Sequence, residues 1–174
     1  VSLNAHSMGA SVATLFLNRY PERSDRAILT CSGIFEYDEK AFSAFHKFGK
    51  LVVQFRPNWL AAIPGMDRMF MARFLKREIP AEERQAFLKD FLMADYEAAL
   101  GTIYTSVSRK AAEIMPGEFA RLTVPTLLVS GEFDRIIPAA MGREAVEKNE
   151  MKSIDYVVLQ NTAHFPMLED APAY

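Results

Sequence analysis

The period of apolar positions changes twice along the chain. A short strand through Leu3 runs into Ala5-His6-Ser7-Met8-Gly9, after which Met8, Val12, Leu15 and Phe16 recur at i, i+4, i+7 and i+8. That spacing predicts a helix to about Tyr20 with those four residues on its buried face, stopped by Pro21. Arg26-Ala27-Ile28-Leu29-Thr30-Cys31 before Ser32-Gly33 reads as a strand covered on both faces. From 36 to about 118 the pattern is helical, approximately 39–55, 67–78, 81–93 and 95–111, broken at Pro57, Pro64-Gly65 and Pro80. Strand character returns at Pro125–Gly131, a helix near Ala139–Lys148 follows, and Ile154–Leu159 is a last strand. This alternation predicts an α/β fold on a parallel sheet with right-handed crossovers. The helical block, 36–118, is then an insertion between two core segments, 1–35 and 119–174.

Eight of the 13 Phe lie in that block, at Phe42, Phe45, Phe48, Phe55, Phe70, Phe74, Phe87 and Phe91, joined by Met66, Met69, Met71, Met93, Met115 and the single Trp, Trp59. Aromatics and Met at three- and four-residue spacing predict packing between helices, with some of them lining an apolar pocket. Glu82-Glu83-Arg84 reads as solvated helix surface. With 174 residues, 50% hydrophobic and 24% charged, the composition is that of one globular domain with a sizeable core. A net charge of -2 argues against nucleic acid as a partner, and no apolar run approaches the roughly 20 residues of a membrane-spanning helix. The one cysteine, Cys31, excludes a disulfide within the chain and a zinc–thiolate cluster, and reads as a small buried hydrophobe.

Ser7 sits in small-x-Ser-x-small, between Ala5 and Gly9, with a strand before it and a helix after. A strained strand-to-helix turn lifts a serine hydroxyl clear of the sheet when the residues two positions away are small. The helix N-terminus then aims amide N–H groups at a developing oxyanion. Such a serine needs a base, and the base an orienting acid. Of three histidines, His6 adjoins the serine and points elsewhere, and His46 falls among the Phe-rich helices. His164, in Asn161-Thr162-Ala163-His164-Phe165-Pro166, follows the last strand at the sheet edge where α/β sites assemble. Asp134 follows its strand at the same edge, with Glu36, Asp38 and Glu132 as rival acids.

Together these segments resemble the α/β-hydrolase superfamily, specifically its capped single-domain serine hydrolases, in the order Ser…Asp…His. Ala5-His6-Ser7-Met8-Gly9 looks like the nucleophile elbow, with Ala5 where glycine is usual. Gly131-Glu132-Phe133-Asp134 with Ile136-Ile137-Pro138 looks like the acid loop. His164-Phe165-Pro166, with Glu169 and Pro172 behind it, looks like the histidine loop, with Ala163 where glycine often stands.

The resemblance implies Ser7 as nucleophile, His164 as base, Asp134 as its orienting acid, Met8 as one oxyanion donor, and the 36–118 insertion as a cap. It implies neither metal nor organic cofactor. It also implies that this chain begins at the family's fifth strand, with the second oxyanion donor in a preceding segment and an apolar strand edge left to be paired. The expected activity is hydrolysis of a carboxylic ester or lactone of a small apolar substrate through an acyl-enzyme. The alternatives are a carbon–carbon hydrolase of vinylogous diketones and a ligand-binding receptor on the same fold. No nucleic-acid partner is expected, a cytoplasmic location is, and oligomeric state is left open.

Overall fold

The computed structural model describes residues 1–34, 38–148 and 153–174. Four strands, β1 (Ser2–His6), β2 (Arg26–Thr30), β3 (Thr126–Gly131) and β4 (Ile154–Leu159), form one sheet in the order β1-β2-β3-β4, every pair parallel. The register puts His6 opposite Thr30, Thr30 opposite Val129, and Gly131 opposite Leu159. Strand ends therefore fall on one edge, and the loops after β1, β3 and β4 share it. The expected α/β class holds. The alternating apolar strands and short crossover helix α7 (Ala139–Lys148) enforce it.

Two compact units emerge. The first comprises Val1–Glu36, Phe74–Arg77 and Ala112–Tyr174, and the second Tyr37–Arg73 and Glu78–Ala111. The first unit's core joins Ala10, Ala13 and Leu17 to Ala27, Leu29, Leu128, Phe119 and Ile154. Helix α1 (Met8–Arg19) corrects the expected burial. Met8, Val12, Leu15 and Phe16 are 45, 60, 45 and 37% exposed, whereas Ala10, Ala13, Thr14 and Leu17 are buried. Small residues let the helix lie close to β1 and β2, and the buried Thr14 hydroxyl is satisfied by donating to the Ala10 carbonyl at 2.9 Å. Strand β1 is also less buried than its pattern suggested, with Ser2 and Asn4 exposed, because it is an edge of this sheet.

The second unit is helical: α2 (Glu39–Gln54), α3 (Met66–Met71), α4 (Ala81–Met93) and α5 (Tyr96–Ser106), with the start of α6 (Arg109–Ala120). The Asp38 side chain caps α2, accepting from Lys40 and Ala41 N–H, and Asp95 caps α5 by accepting from Ala98. The helix expected over 67–78 ends at Met71, and that expected over 95–111 is two helices. Ser108 starts the second by accepting the Ala111 N–H at 3.0 Å. Where α2 meets α5, a Cβ on Gly49 would stand 3.0 Å from Ile103 Cδ1, so glycine permits the close crossing.

The aromatic expectation holds only in part. Phe42 and Met71 are buried, and Phe70 packs on Phe87 and Phe91, but Phe48, Phe55, Trp59, Met69 and Met93 are exposed. Arg84 is not solvated surface. It is 9% exposed, paired with Asp67 at 2.9 Å and bonded to the Ile79 carbonyl. No helix among the described residues is long and apolar enough to cross a membrane.

Candidate active site

Ser7 links β1 to α1 with φ 53° and ψ -121°, a conformation costly for any residue with a Cβ. Its N–H donates to Thr30 O at 2.8 Å, which ties the turn to the end of β2. A serine at this position commonly caps its helix, yet the Ser7 side chain makes no capping bond. Its Oγ lies instead 3.1 Å from His164 Nε2. Among the described residues, crowding from outside the turn and its helix does not account for the small residue at 9. Outside its own helix, a Cβ on Gly9 would meet nothing within 4 Å.

His164 is 3% exposed, and its Nδ1 stands 2.8 Å from Asp134 Oδ2. The other Asp134 oxygen accepts the N–H groups of Ile136 and Ile137 at 2.7 and 2.9 Å. Burial opposes the Asp134 charge, but the His164 bond, the imidazole's charge and these two amides outweigh it, holding the carboxyl below its usual range. An ionised Asp134 can only accept, so in the neutral ring Nδ1 carries the proton and Nε2 faces the Ser7 hydroxyl with its lone pair.

The rival acids go elsewhere. Asp38 caps α2, Glu132 accepts the Asn161 N–H, and Glu36 lies outside the described residues. His46 is bonded to the Val107 carbonyl in the helical unit.

Three features of the surroundings were not read from the sequence. His6 packs on the His164 ring at 4.8 Å between centroids, and its Nε2 donates to the His164 carbonyl at 2.7 Å. Burial lowers its pKa, with the bond to that carbonyl opposing, which favours the neutral ring. The His164 N–H donates to Phe74 O at 2.9 Å, and Ala163 N–H to Glu169 Oε1 at 2.7 Å. Nothing in local periodicity signals these bonds, apart from Glu169's place in the histidine-loop motif.

Among the described residues, His6, Cys31 and His164 bring metal-ligating atoms within 4.8 Å of one another. The donor set does not suit a cation. Burial and the Asp134 charge raise the Cys31 thiol, favouring its protonated form. Both His164 nitrogens and His6 Nε2 already have partners. A depression of about 400 Å³ in the helical unit is lined by Val53, Phe55, Arg56, Leu92 and Tyr96 and includes none of the Ser7, Asp134 and His164 group.

A family model described as Hydrolase_4, serine aminopeptidase S33, matches residues 1–171. This chain belongs to the Hydrolase_4 family. The Hydrolase_4 chain is 30% identical over 98 residues to the AB hydrolase superfamily protein YisY of Bacillus subtilis (strain 168), a match covering 56% of this chain and 34% of that protein. It also resembles an esterase, EaEST, from Exiguobacterium antarcticum, at 19% identity and a TM-score of 0.76 over 99% of this chain and 63% of that one. A further likeness is to MGS-M2, an alpha/beta hydrolase enzyme from a Medee basin deep-sea metagenome library, at 18% identity and a TM-score of 0.69 over 99% of this chain and 61% of that one. The chain thus spans about three-fifths of these solved structures and matches about a third of the curated relative. At such identities the structural likeness establishes the fold, which is that of an α/β hydrolase.

Proposed function

We propose that the protein is a serine hydrolase that cleaves a carboxylic ester or lactone of a small apolar substrate through an acyl-enzyme. The observation that carries this reading is the continuous chain from Asp134 Oδ2 to His164 Nδ1 at 2.8 Å and from His164 Nε2 to Ser7 Oγ at 3.1 Å. In this mechanism His164 Nε2 takes the Ser7 proton as Oγ attacks the acyl carbonyl. Asp134 holds the imidazole in its Nδ1–H form and stabilises the imidazolium. The Met8 N–H, at the start of α1, stabilises the oxyanion. Collapse of the tetrahedral species releases the alcohol, protonated by His164, and a water activated by the same nitrogen then frees the acid.

The strained Ser7 backbone supports the reading, because a non-glycine residue in this conformation is most often found where function requires it. On this reading residues 36–118 are the cap, and their Phe- and Met-rich sequence favours an apolar acyl or alcohol portion. The substrate is a small molecule.

Full-length protein assayed against p-nitrophenyl esters of increasing acyl length, beside a Ser7→Ala variant, tests this. Turnover that drops about a thousandfold or more in the variant is the expected result. Folded wild type that turns over none of the esters would overturn ester hydrolysis. Cleavage of aminoacyl p-nitroanilides instead would replace it with peptidase activity.

A further inference from the structure

Glu169, at the end of α8 (Pro166–Glu169), is 7% exposed, yet its carboxylate accepts from backbone groups on two separate segments. Oε1 accepts the Ala163 N–H at 2.7 Å, and Oε2 accepts the Lys76 and Arg77 N–H groups at 2.6 and 2.8 Å. Burying a carboxylate is costly, and charge-assisted bonds to amides are what offset it. The two segments that it joins also meet at the imidazole's own backbone, where His164 N–H donates to Phe74 O at 2.9 Å. With His6 Nε2 on the His164 carbonyl, both main-chain polar groups of His164 and the N–H before it are fixed. Arg77 adds a bond to the Glu169 carbonyl at 3.3 Å and an ion pair to Asp170 at 2.7 Å, steadying the helix end that carries the carboxylate.

We propose that Glu169 is a positioning residue for His164, clamping Ala163 to the 74–77 segment so that the imidazole stands between Asp134 and Ser7. The inference rests on the serine-hydrolase reading. Both carboxylate oxygens act as acceptors facing N–H groups, so a side-chain amide cannot replace the carboxylate. However glutamine is turned, its NH2 group would face either Ala163 N–H or the Lys76 and Arg77 pair. A displacement of about 1 Å in a catalytic group can cost up to roughly a hundredfold in rate.

The experiment compares kcat and KM of full-length wild type, Glu169→Gln, Glu169→Asp, Ser7→Ala and the core variant Ile154→Ala, well below each melting temperature. Proton NMR follows the low-field resonance of the His164 Nδ1–H···Asp134 bond. Glu169→Gln is expected to lose about tenfold or more in kcat with KM within about twofold, and to broaden or shift that resonance. Ile154→Ala, also destabilised, keeps both. Should Glu169→Gln not fold, Glu169→Asp retains the charge but is too short to reach both segments, and the same loss in kcat is expected. Wild-type kcat and an unmoved resonance in a folded Glu169 variant would overturn the proposal while Ser7→Ala still abolishes turnover. Retained turnover in Ser7→Ala would instead overturn the reading on which it rests.

Discussion

Gly131 and Ala163 are packed backbone to backbone: a Cβ on Gly131 would stand 1.9 Å from the Ala163 carbonyl oxygen. The end of β3 and the loop after β4 therefore meet where only glycine fits, one residue before His164. Phe133 N–H donates to Thr162 O at 2.8 Å beside this contact, and Glu132 N–H to Leu159 O at 3.1 Å. The loop carrying Asp134 and the loop carrying His164 are thereby fixed as one piece.

Gly131→Ala must push these loops apart, since the obstruction is backbone rather than a flexible side chain. We expect a loss of about 1–3 kcal/mol in urea unfolding and, on the proposed reading, a fall in kcat larger than the change in KM. Wild-type stability in that variant would contradict the packing described.

On the proposed reading, Ser7 holds its strained backbone for the sake of its hydroxyl. Ser7→Gly relieves the positive φ and removes the proposed nucleophile together. Stability should rise by about 1 kcal/mol while hydrolysis is lost. Ser7→Ala, which keeps the strain, should lose activity without that gain, and denaturant midpoints of the pair measure the difference.

Acid should weaken the protein in two stages. Burial places the folded His6 pKa below its unfolded value, near 6.5, so the unfolded chain takes up the proton more readily. The His6 contribution is complete above about pH 6.5 and declines as pH falls through the folded value. Asp134 behaves alike at lower pH. Its folded pKa is also depressed, so its contribution holds above about 3.9 and is lost as pH drops through the folded value. Urea midpoints from pH 7.5 down to pH 5, about the range over which a histidine charges, should fall for wild type. The decline should be smaller in His6→Gln, which can still donate to the His164 carbonyl.

Cys31 is fully buried at the end of β2, with its thiol raised by burial and by the nearby Asp134 charge. A thiol reagent should leave it unmodified in the native protein at neutral pH and label it at the rate of unfolding. Rapid labelling of the folded protein would show that the site is open to solvent.

Much of the architecture was legible because local sequence carries its own physics. Helices α4 and α7 and strand β4 begin and end where their apolar periods and flanking residues predict. Ser7, Asp134 and His164 could be singled out because each follows a strand of one parallel sheet, and parallel strands deliver their C-terminal ends to a common edge. The break between α5 and α6 was missed because Ser108 acts as a cap only once Ala111 N–H is placed on it.

By itself the sequence determined the four strands, most of the helices and their order, and singled out three residues that the fold brings within hydrogen-bond reach of one another. Tertiary structure decided which face of α1 is covered, because apolar periodicity marks a helix's stripes without saying where the sheet lies. It made Arg84 a buried ion-pair partner of Asp67 across a turn, and joined Glu169 to Lys76 and Arg77 across more than ninety intervening residues. Such bonds depend on where distant backbone amides arrive in space, and no local pattern encodes that.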